Sequence, residues 1–378
     1  MFYRDGIHDD TAALQEALDK RGIVTIDTPG TYLVSKTLII HSNTRLVLSP
    51  GVHIIAAPMS RCSLIQNEFF AGGGRDSNIE IIGGIWDGNC DEMGLDAYYE
   101  AKHRLDLPYT PEIFRGKLIR FAHVDNIILE KMTVKDPVSY GIQIADSVGF
   151  ITRDLYFDYN WHFGTTDGVH INGPATNGVI ENLHGTTNDD MVSLTTIDES
   201  HAEVTVGEIS NVEIRNISAR NGYSGVRLLA IDYPITNVKI SGVYGEYRHN
   251  AVLVSHHKMK LGAPIWFDDI TIEHIHASKS TTHLSEDCFR MWDSGAIETN
   301  PVIWFEGGVK LGNCVIRDVS RVEKSTITNA YLLQIDEGAE FDRLIIDNVT
   351  QKNLEGVNAP SLFNKGTIGN LIERDINC

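Results

Sequence analysis

The stretch Asn211-Val212-Glu213-Ile214-Arg215-Asn216-Ile217 decides how the chain is read. A small polar residue opens it, apolar and charged residues then alternate, and a second Asn interrupts the alternation. Alternation with period two marks a strand with one buried face. The pattern returns upstream as Asn78-Ile79-Glu80-Ile81-Ile82, Asn126-Ile127-Ile128-Leu129-Glu130, Gly149-Phe150-Ile151-Thr152 and Gly178-Val179-Ile180-Glu181-Asn182-Leu183. Downstream it is Asn237-Val238-Lys239-Ile240, Asp269-Ile270-Thr271-Ile272, Asn313-Cys314-Val315-Ile316, Asp342-Arg343-Leu344-Ile345-Ile346 and Asn370-Leu371-Ile372. Successive starts from residue 126 onward lie 23, 29, 33, 26, 32, 44, 29 and 28 residues apart. Short strands at this repeat, with Asn and Gly at the corners, predict an all-β solenoid: a single-stranded right-handed parallel β-helix. Each coil then supplies about three strands, stacked on their equivalents at ~4.8 Å. A β-sandwich would need tight two-residue hairpins at regular places, and few such turns are present.

The spacing predicts one β-helix domain over 1–378. Residues 1–30 differ from the rest. Asp9-Asp10-Thr11-Ala12-Ala13-Leu14-Gln15-Glu16-Ala17-Leu18 reads as a short amphipathic helix with Asp10 or Thr11 as N-cap. A stack of coils exposes apolar residues at its end, and this helix is the expected cap. Residues 95–116 and 278–300 break the repeat and are expected to leave the coil as loops that wall a groove.

Composition narrows the partners. Asp and Glu number 51 against 32 Lys and Arg, a net charge of −19. Nucleic acid is excluded on this reading, because phosphate neutralisation needs basic patches. No run of 18 apolar residues is present, so no membrane helix is expected. The five cysteines show neither CxxC nor Cys/His ligand spacing, so no metal site of that kind and no cofactor is expected. Cys62 and Cys90 could pair if the protein is exported. The opening residues Met1-Phe2-Tyr3-Arg4-Asp5-Gly6 do not read as a signal peptide, which favours the cytoplasm unless a signal was removed.

One series of strands carries chemistry. Tyr140-Gly141-Ile142-Gln143-Ile144, Asp167-Gly168-Val169-His170-Ile171, Asp190-Met191-Val192-Ser193-Leu194 and Ser224-Gly225-Val226-Arg227-Leu228 align on Ile144, Ile171, Leu194 and Leu228 as inward residues. Gln143, His170, Ser193 and Arg227 then form an outward column. Asp167 and Asp190 start equivalent strands on neighbouring coils, with Asp189 one residue further out. Three carboxylates this close repel, and one of them is expected to hold a proton. A protonated acid beside an ionised base is what glycosidic cleavage requires. Trp161, ahead of Asp167, is a candidate platform for a sugar ring. His257, in His256-His257-Lys258, is a candidate substrate contact.

In this order the motifs resemble the polygalacturonase-type glycoside hydrolases of the pectin-lyase-like β-helix superfamily. Thr166-Asp167-Gly168 looks like the family's Asn-Thr-Asp-Gly motif, with Thr165 in place of Asn. Asn188-Asp189-Asp190 looks like its Asp-Asp motif, with 22 residues from Asp167 to Asp189. Gly225-Val226-Arg227-Leu228-Leu229 looks like its Gly-Val-Arg-Ile-Lys motif. The resemblance implies a poly- or oligosaccharide substrate, Asp189 as general acid, and Asp167 and Asp190 as holders of an attacking water, with inversion. It implies that Arg227 binds the sugar. It departs in two places: no Gly-His-Gly segment stands between Asp190 and Arg227, so that His170 or His201 is the candidate replacement, and Leu229 stands where the family has Lys. Two other readings fit the same fold, a Ca²⁺-dependent polysaccharide lyase and a non-catalytic glycan-binding β-helix.

Overall fold

The computed structural model describes residues 1–94, 114–197, 204–256, 265–281, 300–326 and 328–378. Its strands are joined by parallel pairings into three stacked ladders, and the chain is a parallel β-helix. The coil built from Ile142–Asp158 shows the plan. Residues 142–145 belong to the first ladder, 147–153 to the second and 155–158 to the third, each registered on the strand Val169–Thr186 of the next coil.

The recurrent Asn explains the turns. Inside the second ladder, at the break in pairing that Gly149 marks, Asn126, Asn177, Asn211 and Asn237 adopt φ of +56°, +61°, +57° and +50°. Asn tolerates this left-handed conformation, and its amide can bond locally. Here the amides also bond along the axis: Asn237 Nδ2 donates to Asn211 Oδ1 (2.7 Å), and Asn126 Nδ2 to Asn78 Oδ1 (3.2 Å). A second column turns the chain from the second ladder into the third. There Asn216 donates to Asn182 (3.0 Å) and Asn182 to Asp154 (2.8 Å). The two Asn residues of the opening heptapeptide are therefore two turns of one coil.

Between the turns the alternation fills the core. Ile180, Ile214, Ile240, Ile272, Ile316 and Ile346 are paired in register from coil to coil and are at most 3% exposed. Each such side chain contributes ~1.5–3 kcal/mol by burial.

The helix forms over Thr11–Leu18 and buries Leu14 and Leu18 against the core. Asp10 stands at the N-cap position but does not cap. Its carboxylate turns back to accept the backbone N–H groups of Tyr3 (2.6 Å) and Arg4 (3.0 Å), while Asp9 takes the Thr11 N–H (2.9 Å). Cys62 and Cys90 are unpaired thiols, so the bridge considered for them is not formed. Among the described residues no helix is long and apolar enough to cross a membrane. The expected loops at 95–116 and 278–300 fall largely outside the described residues.

Candidate active site

The first ladder carries the site. His170 pairs with Gln143 on one side and Ser193 on the other, and Ser193 pairs with Arg227, so the expected outward column is formed. Asp167 and Asp190 head adjacent strands, as the bond from Gly168 N–H to the Asp190 carbonyl (2.9 Å) shows. Carboxylate oxygens of Asp167, Asp189 and Asp190 all lie within 4.8 Å of one another. The column is more enclosed than a solvent-facing sheet would be: Asp167 and His170 are 3% exposed, Asp190 4%, and only Asp189 and Arg227 are half-buried.

Local geometry fixes each carboxylate. Asn188 donates to the Phe163 carbonyl (2.7 Å) and its own N–H bonds Thr166 Oγ1 (3.2 Å), which ties the Asp189 turn to the Asp167 turn. His170 Nδ1 is hydrogen-bonded to Asp167 Oδ2 at 2.5 Å. The Asn172 Oδ1 accepts from Gln143 Nε2 (2.9 Å), so the Asn172 amide nitrogen faces His170 Nε2 (3.3 Å). Asp167 and Asn172 thus hold the two ring nitrogens of His170. Tyr140 stacks on it at 4.1 Å and 6°. His170 thus serves Asp167 directly.

Arg227 donates from Nε to Ser255 Oγ (3.1 Å), and its Nη1 lies 3.8 Å from Asp190 Oδ2. Trp161 is 8% exposed, and the Arg248 guanidinium lies 5.3 Å from its ring centroid. His201 and His257 lie outside the described residues. His256 is buried and bonded to the Gly307 carbonyl (2.9 Å).

Two further residues join the site that the motifs did not single out. Tyr223 and His249 stand three residues before the inward anchors Val226 and Val252, the place Asp189 holds before Val192. Extending the alignment one column outward would have found them. Burial first, then the charges of Asp189 and Asp190, push the Tyr223 phenol well up, so it remains a protonated donor beside them. The three Asp oxygens are also of the type that binds a hard divalent cation.

No protein-family model and no curated protein matches the sequence. Solved structures do. The exopolygalacturonase of Thermotoga maritima aligns over 99% of this chain and 90% of its own, with 14% identity and a TM-score of 0.61. The chain has the fold of the polygalacturonases. A tailspike protein mutant of E. coli bacteriophage HK620 aligns over 96% of this chain and 63% of its own (13% identity, TM-score 0.65). The surface adhesin PfbA of Streptococcus pneumoniae aligns over 98% and 89% (14%, 0.57). A tailspike and an adhesin share the fold, so the fold alone does not make the chain an enzyme. The adhesin is a surface protein, and a cytoplasmic placement finds no support among these structures.

Proposed function

We propose that the protein is a glycoside hydrolase acting on a poly- or oligosaccharide. The observation that carries this reading is the set of three carboxylates within 4.8 Å, heading adjacent coils, with Arg227 on the next coil. Asp189, the least buried of the three, is the general acid that protonates the leaving oxygen. Asp167, oriented by His170, and Asp190 hold and deprotonate the attacking water. Arg227 binds the sugar beside them.

The closest approach of the oxygens is shorter than the ~6.5–9.5 Å usual between acid and base carboxyls in inverting enzymes. Distance therefore does not select inversion. What favours water attack is the pair Asp167 and Asp190, which gives one water two acceptors on one side of Asp189.

Product analysis on a panel of glycans tests the reading. New reducing ends without ultraviolet absorbance, unaffected by a chelator, are expected, and NMR of the first-formed anomer should show inversion. Asp189→Asn should lower kcat by ~10²–10⁴-fold and leave glycan binding intact. Unsaturated products lost on chelation would make the protein a lyase. Binding without cleavage would make it a glycan-binding β-helix.

A further inference from the structure

Lys279 ends the strand Phe267–Lys279 on the third ladder and is 2% exposed. Its Nζ donates to three backbone carbonyls: Arg248 (2.7 Å), His249 (2.5 Å) and Asn300 (2.9 Å). A buried ammonium needs such acceptors, and two consecutive carbonyls on one cation fix the orientation of the turn that supplies them. The anchor is itself held from behind. Glu323 Oε2 accepts the Lys279 N–H (3.2 Å) and forms a fully buried ion pair with Arg321 (2.5 Å).

Both residues of the clamped turn reach the candidate site. Arg248 lies over Trp161, whose carbonyl accepts from Asn188 (3.4 Å), the residue before Asp189. His249 stacks on Tyr223 at 4.9 Å and 11°, and Tyr223 stands beside Asp189 and Asp190. We propose that Lys279 is a positioning residue: its ammonium holds the Arg248–His249 turn against the segments that carry the three carboxylates, and so makes His249 a wall of the glycan site. The part of this proposal that concerns glycan rests on the hydrolase reading above.

The clamp has an electrostatic consequence. Burial first, then the positive charges of Lys279 and Arg227, pull the His249 imidazole down to about 3. The charged and titratable groups facing it are Lys279, Arg227, Arg248 and Tyr223, with Asp189 and Asp190 beyond the phenol. The ring therefore meets substrate uncharged across the neutral range.

Lys279→Met in the full chain tests the proposal. With the His249 Cε1 resonance assigned through His249→Gln, the wild-type signal is expected to stay flat between pH 5 and 8, and in Lys279→Met release of the turn, which takes away the burial together with the charge, is expected to bring the signal into titration within that range. kcat on the glycan found by product analysis should fall about tenfold or more as the carboxylates lose register. A folded Lys279→Met with a flat His249 signal and wild-type kcat and KM overturns the proposal. If Lys279→Met does not fold, His249→Phe keeps the stacked ring and the backbone carbonyl. A KM raised about tenfold supports the wall, and an unchanged KM overturns it. If the wild type turns over no glycan, the hydrolase reading fails while the resonance still decides the clamp.

Discussion

His170→Phe separates the chemistry of the outward column from its packing. The phenyl ring keeps the shape that stacks on Tyr140 at 4.1 Å but removes the 2.5 Å bond to Asp167. Both side chains of that pair are 4% exposed, so water cannot replace the lost donor. A buried carboxylate that loses a donor while it stays charged costs more than a neutral group would, toward the ~3–5 kcal/mol of a broken buried pair. Protonation of Asp167 limits the loss to that of an unmade hydrogen bond, ~1–3 kcal/mol. The sign of the pH dependence follows. In the variant the folded state keeps a proton that the unfolded chain releases above about pH 3.9. Its stability therefore falls as pH rises, by up to ~1.4 kcal/mol per unit, until the buried carboxyl ionises. Urea midpoints at pH 4 and pH 8, with unchanged m-values, are expected to give losses of ~1–3 and ~3–5 kcal/mol. A loss below ~1 kcal/mol at pH 8, or equal losses at both, would refute the argument that this pair is a desolvated, coupled unit.

Two other predictions concern the scaffold. Burial opposes the charged form of His41, but bonds to Glu68 (2.8 Å) and Asp19 (3.1 Å) outweigh it and hold its pKa above the ordinary value. That contribution is fully present below about pH 6.5 and is lost as pH rises through the raised value, so the stability advantage of wild type over His41→Gln should shrink between pH 5.5 and 8.5 in urea titrations. Gly245 sits at φ +109° with an added Cβ 1.9 Å from the Ala219 carbonyl oxygen, whereas Gly22 at φ +66° has open space around it. Gly245→Ala should cost more than ~2 kcal/mol and Gly22→Ala only ~1 kcal/mol, and similar midpoint shifts would show that the close approach is relieved by movement.

The Asn turns were legible because each is a local demand repeated on every coil. A left-handed φ and an amide that bonds the next amide select the same residue at Asn182 and Asn216, or at Asn211 and Asn237, whatever lies between. The Gln143, His170, Ser193 and Arg227 column was legible for a related reason, since inward Ile144, Ile171, Leu194 and Leu228 fix the register and every neighbour follows. Contacts along the axis thus appear in the sequence as columns. Contacts across the coil do not. Lys279 belongs to the third ladder and the turn it holds to the head of the first, and the repeat that starts at Asp269 runs 44 residues to Asn313 instead of about 30. Lys279 pairs in register with Tyr247 one coil away, yet no alternation says that its ammonium turns to the carbonyls of Arg248 and His249, and Arg248 meets Trp161 from 87 residues away. The enclosure of the column was hidden for the same reason: alternation says which side chains point away from the core, and what then covers them is decided by turns and rings from coils of unequal length. A β-helix can keep a constant core while its site walls change, because the columns that hold the stack and the cross-coil contacts that shape the site draw on different residues.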